Sequence, residues 1–135
     1  MKKKLGVIFI MFFPLLSFCQ IELDTTKVDT LDGHKVYLVV ESWPKFVGGE
    51  TALEKFIQNN ISPALRKEGL KVFVSIVIDK YGNVRNPEIQ FGKNEDQINE
   101  SLRIIKIMPR WIPGRYQGKN VYVRLSIKFD FGLRE

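Results

Sequence analysis

Residues 108–131 read Met108-Pro109-Arg110-Trp111-Ile112-Pro113-Gly114, then a polar turn through Gly118-Lys119-Asn120, then a strand ending Phe129-Asp130-Phe131. In that strand Val121, Val123, Leu125, Ile127, Phe129 and Phe131 alternate with Tyr122, Arg124, Ser126, Lys128 and Asp130. Successive strand side chains point to opposite faces, so one face is apolar and the other polar. This is a half-buried strand, and the four residues after Phe131 are too few to cover its edge.

Upstream, Asn94 begins a helix. Asn94 and Gln97 have the spacing of a capping box, and Glu95 and Asp96 suit the positive end of the helix dipole. Ile98, Leu102 and Ile105 share a face widened by Ile104, Ile107 and Met108, and Pro109 stops the helix. Before it, Leu70 to Ile78 is apolar on both faces, which makes it a central strand. Asp79-Lys80-Tyr81-Gly82-Asn83 turns the chain into a return strand, Val84 to Phe91. Pro87 places that return strand at an edge or a bulge.

Glu50 to Asn60 carries Leu53, Phe56 and Ile57 at helical spacing, with Lys55, Gln58 and Asn59 off that face. A compact helix is expected next, capped by Ser62, opened by Pro63 and stopped by Gly69. Val36 to Val40 reads as a strand, and Ile21 to His34 as a polar linker turning at Asp32-Gly33. The fold class that follows is α+β: a small antiparallel sheet packed with two main helices. With the last strand beside the central one, the edge of Lys119 to Phe131 is open.

The first nineteen residues have the form of an export signal. Lys2 to Lys4 form a basic start, Leu5 to Phe18 an apolar run of fourteen, and Ser17-Phe18-Cys19 a cleavage site before Gln20. The run is short of the ~20 residues a spanning helix needs, and Pro14 interrupts it. Leu16 to Cys19 also resembles a lipobox, and an uncleaved anchor is the third reading. The expected organisation is an export segment over 1–19, a linker and first strand over 20–43, a domain over 44–131 and a tail over 132–135. Membrane contact requires the first segment to be retained or lipidated.

The formal charge of +6 includes Lys2 to Lys4; removal of residues 1–19 leaves 18 basic and 15 acidic residues. That small excess argues against nucleic acid as the partner. Cys19 is the only cysteine, so the exported domain has no disulfide. His34 is the only histidine and sits in the linker, which removes triad and zinc-cluster chemistry. Asp79 and Glu88 read as surface acids of the hairpin, not a catalytic pair. Gly48-Gly49 lacks a P-loop lysine or serine and reads as a tight turn. No enzyme activity, cofactor or metal is expected.

Several matches coincide in one family. The hairpin has Asp79, Gly82 and Val84 at the spacing D-x-x-G-x-V. The helix end and turn have Met108, Pro109, Trp111, Pro113, Gly114, Gly118, Lys119 and Val121. Upstream, Pro44, Phe46, Gly48, Gly49, Glu50, Leu53 and Phe56 complete the pattern. Over Pro44 to Phe131 the chain resembles the C-terminal domain of TonB in its Bacteroidetes-type form. It departs at Val47, at Ser62 and in the contracted Gly69-Leu70-Lys71 approach to the central strand. It also shows no Pro-rich spacer, so this chain alone is not expected to carry force between two membranes.

The resemblance implies a periplasmic domain whose last strand accepts a short extended segment of an outer-membrane transporter, the TonB box, as an added strand. The expected contact residues are Val121, Tyr122, Val123, Arg124, Leu125, Ser126, Ile127 and Lys128. The residues alone favour an edge that is solvated, capped by Val36 to Val40, or closed by a second copy in a homodimer; the resemblance turns the reading to docking. A structural or assembly protein of the envelope, using the same edge, is the alternative function. Trp111 reads as packing beneath the preceding helix.

Overall fold

A computed structural model describes residues 29–67 and 70–133. The export segment, Cys19, most of the linker, the Gly69 helix stop and the last two residues lie outside them.

The central strand, β3 (Lys71–Ile78), is flanked on both sides. It pairs antiparallel with the return strand β4 (Val84–Phe91) through the Asp79 turn. On its other side it pairs antiparallel with β6 (Lys119–Asp130), from Lys71 opposite Asp130 to Ile78 opposite Val123. The alternation of β6 is satisfied as the pattern requires. Val123, Ile127 and Phe129 are buried together with Val72, Val74, Ile76 and Ile78 of β3. Each such side chain contributes about 2 kcal/mol by leaving water.

Two helices cover this apolar face. Helix α1 (Glu50–Asn60) brings Ile57, with Leu53 and Phe56 partly buried. Helix α2 (Glu95–Lys106) brings Ile104 and Ile105. The buried stripe of α2 also includes Gln97 and Ser101, which sequence periodicity does not select. They are tolerated because each finds a backbone carbonyl. Gln97 Nε2 donates to Leu65 O at 2.9 Å, and Ser101 Oγ donates to Gln97 O at 2.8 Å. The capping box is therefore half made: Asn94 Oδ1 accepts from Gln97 N–H at 3.1 Å, while the Gln97 side chain turns elsewhere.

Three expectations are corrected. The second compact helix is only a 3₁₀ turn, Pro63–Leu65. Ser62 does not cap it; its hydroxyl donates to Glu100 Oε2 at 3.0 Å. The end of the linker is paired, because β1 (Thr30–Leu31) and β2 (His34–Tyr37) form a hairpin, and the strand expected over Val36 to Val40 ends at Tyr37. Its turn sits at Asp32-Gly33, both at positive φ, as a two-residue hairpin turn prefers. Finally, β5 (Gly114–Tyr116) folds back on the start of β6 through a turn at Gln117-Gly118.

The hairpin docks on the far edge of β6, with Val36 beside Tyr122 and Tyr37 beside Val123 in parallel. The α+β class holds, and the sheet contains one parallel pair. A second small core explains the docking: Val36, Val77 and Tyr122 are buried on the face opposite the helices, with Leu31 against them. Arg124 moors the hairpin, donating from Nε to Asp29 Oδ2 at 2.6 Å and from Nη1 to Ser75 Oγ at 3.0 Å.

Candidate docking edge

The edge of β6 is held in place by the Asp79 turn and the Trp111 segment, which lock into one junction. Asp79 is not a surface acid. It is buried, and its Oδ1 accepts the N–H groups of Tyr81 and Asn83, both at 2.9 Å. Gly82 sits at φ +87, and its C=O accepts Trp111 N–H at 2.8 Å. A Cβ on Gly82 would lie 1.9 Å from Trp111 O, so only glycine permits this approach. The Trp111 ring, 5% exposed, meets Phe46 edge-on at 5.5 Å. Lys45 and Ile112 form a bridge beside it, which ties the chain entering α1 to the chain entering β6.

Beyond this junction the two halves of β6 differ. Val121 pairs with Gly114 of β5, and Tyr122 and Val123 pair with β2. The open edge expected from Lys119 onward is therefore taken over its first part. Strand β2 ends at Tyr37, and no described strand pairs with Arg124 to Asp130 on the side away from β3.

Which atoms that side presents follows from the ladder. Along a strand, the backbone groups of successive residues point to opposite edges. Phe131 N–H donates to Leu70 O toward β3, at 3.1 Å, whereas Asp130 O accepts Gln58 Nε2 from the other side, at 2.9 Å. By alternation the N–H and C=O groups of Lys128 and Ser126 point to the free edge. Gln58 thus marks its far end, and Gln58 is itself held by Arg66, which donates to its Oε1 and O at 2.8 Å.

A groove runs along this edge. Two adjoining hollows of about 460 and 600 Å³ share Glu50, Leu53, Ser126 and Ile127. One extends to Gln58 and Asp130, the other to Trp43, Phe46 and Trp111. The hollow toward Trp111 is mainly apolar, the one toward Gln58 is lined mostly by polar and charged residues, and one wall is α1. The Trp111 indole N–H is buried without a hydrogen-bond partner among the described residues, which makes it a sensitive reporter on the groove.

The structure therefore separates the eight expected contact residues. Val121, Tyr122 and Val123 face strands of the same chain. Arg124 serves the Asp29 mooring. Leu125 and Ile127 line the groove, and Ser126 and Lys128 offer free main chain. The α1 wall, Gln58 above all, was not foreseen. Gln58 falls on the polar side of α1 by periodicity, and only the tertiary fold brings it to Asp130.

Among the described residues no helix is long and apolar enough to cross a membrane, and no group of three or more His, Cys, Asp or Glu could hold a metal ion. The family of the Gram-negative bacterial TonB protein C-terminal matches residues 62–133. The match takes in the Asp79 hairpin and the Met108 to Val121 motif and begins after the Pro44 to Phe56 segment. No curated protein and no solved structure matches the chain.

Proposed function

The chain belongs to the TonB C-terminal family of protein-interaction domains, and on that premise we propose that the free edge of β6 docks an extended segment of an outer-membrane TonB-dependent transporter in the periplasm. The observation that carries this reading is the unpartnered, unbroken stretch of β6 around Ser126 and Lys128, bordered by the α1 groove. An added strand takes main-chain hydrogen bonds from these two residues and seats alternate side chains against Leu53, Ile57 and Ile127. Main-chain recognition asks little of the partner's sequence. Tyr122 and Val123 are excluded from the contact unless the β2 strand leaves. On this reading the domain binds and holds its partner.

Calorimetric titration with synthetic TonB-box peptides tests this. The parent chain binds them, and Ser126→Pro, which removes one outward N–H, binds about tenfold more weakly. Equal affinity for parent and variant would place the contact elsewhere.

A further inference from the structure

We propose that the end of the sheet built around the Trp111 junction is a membrane-contact surface. It takes anionic phospholipid headgroups on a cluster of cations and sets Tyr81, Ile107 and Ile112 into the headgroup layer. This goes beyond docking and uses no part of the β6 edge around Ser126 and Lys128.

The connections of the chain gather at that end. Strand β3 finishes there and β6 starts there, because Ile78 stands opposite Val123. The Asp79 turn meets the chain leaving α2 through the Gly82–Trp111 hydrogen bond. It meets the start of β6 through Asn120 Nδ2, which donates to Lys80 O at 3.4 Å. The chain entering α1 joins at two bridges, Lys45 with Ile112 and Ser42 with Arg115. Six basic residues ride on these connections: Lys45, Lys80, Lys106, Arg110, Arg115 and Lys119. The acids beside them are Glu41 and Glu50, since the buried Asp79 is faced by Arg85 at 3.6 Å. Elsewhere the described residues carry 10 basic and 9 acidic side chains, which is close to balance. The positive excess therefore sits at this end. Lys106, Arg110, Arg115 and Lys119 are exposed there and make no ion pair among the described residues.

The same connections leave large apolar side chains in water. Tyr81, Ile112 and Ile107 are 63%, 54% and 49% exposed. All three are pinned: Tyr81 N–H donates to Asp79 Oδ1, Ile112 N–H to Lys45 O and Ile107 N–H to Ile104 O. Lys80 Nζ lies 5.3 Å from the Tyr81 ring centroid, so cation and aromatic ring are presented together. Cations alone would suit any polyanion. The aliphatic side chains among them favour lipid. Ile107 and Ile112 have no ring to stack on a base and no polar atom to offer a sugar, but they gain by entering the boundary between headgroups and acyl chains, where a tyrosine ring also sits well. Anionic headgroups attract each nearby Lys or Arg, and the attraction grows with the size of the cluster. Membrane contact was expected only through residues 1–19; this surface is a second one, and it leaves the far half of β6 uncovered.

The test is flotation of the full-length chain with vesicles of phosphatidylcholine alone and of phosphatidylcholine mixed with phosphatidylglycerol. Two variants change only exposed side chains. Arg110→Glu/Lys119→Glu reverses two charges, and Tyr81→Ser/Ile112→Ser removes two apolar anchors. The parent is expected to float with the anionic vesicles and to bind them at least about tenfold more tightly than the charge variant. The apolar variant is expected to bind about threefold or more weaker than the parent. Failure of the parent to float overturns the proposal. Equal flotation of the three chains, or equal binding to neutral and anionic vesicles, also overturns it, because the contact then lies elsewhere, residues 1–19 included. Loss in the charge variant with none in the apolar variant overturns it too, and assigns the surface to soluble polyanions.

Discussion

The sheet leaves β4 and the far half of β6 without a further described strand, and these two edges are built to opposite ends. On β4 the ladder with β3 is interrupted twice, between Phe73 and Val74 and between Ser75 and Val77. Asn86 there takes φ +48, and Pro87 has no N–H to give. Bulges and proline are how sheets refuse a further strand. On β6 the pairing with β3 runs unbroken over eight positions, and Arg124 to Asp130 contain no proline or glycine. A groove lies beside β6. The difference teaches that an exposed edge is not by itself a docking edge. One of these is defended, and the other is kept straight and walled.

That contrast can be broken most severely at the junction that seats β6. Gly82→Ala forces a Cβ against Trp111 O at positive φ. It is expected to cost about 4 kcal/mol in chemical denaturation, because overpacking and left-handed strain add. Peptide binding is lost with the fold. The next effect is confined to the edge. Ser126→Pro leaves the β3 ladder intact, because its N–H points away from β3. It weakens docking about tenfold while lowering stability by only about 1 kcal/mol, so a denaturation curve and a binding isotherm separate the two. Gln58→Ala frees Asp130 O at the far end of the edge. It is expected to cost about 1 kcal/mol in thermal unfolding and to lengthen by one residue the stretch of β6 that peptide binding protects. The smallest effect sharpens the contrast from the other side. Pro87→Val restores a donor to β4 and changes stability by about 0.5 kcal/mol or less, but raises self-association in sedimentation velocity.

The local pattern accounts for much of this. Glu50 to Asn60 was legible as a helix because Leu53, Phe56 and Ile57 mark one face. The β3–β4 hairpin was legible because Gly82 and Pro87 are strong punctuation. The position of β6 beside β3 followed from both being long and apolar. What was not legible depends on distant partners. Val36 and Leu31 are too few to mark a core by period, yet they bury Tyr122 once β2 lies along β6. Asp79 looked like a turn acid because nothing nearby in sequence covers it. The 3₁₀ turn at Pro63 is shorter than its punctuation suggests, and the Ser62 hydroxyl that could have capped it serves Glu100. At the candidate edge the strand was legible, whereas its length was not, since β2 and β5 subtract from one end and Gln58 from the other.

The most direct measurement follows both edges at once. A TonB-box peptide is titrated into the isotopically labelled chain, and backbone amides of β4 and β6 are read together. The account predicts saturable shifts at Ser126 and Lys128, with the Trp111 indole N–H moving alongside, and none at Arg85 to Glu88. Shifts along β4, or unmoved amides at Ser126 and Lys128 under saturating peptide, would contradict it.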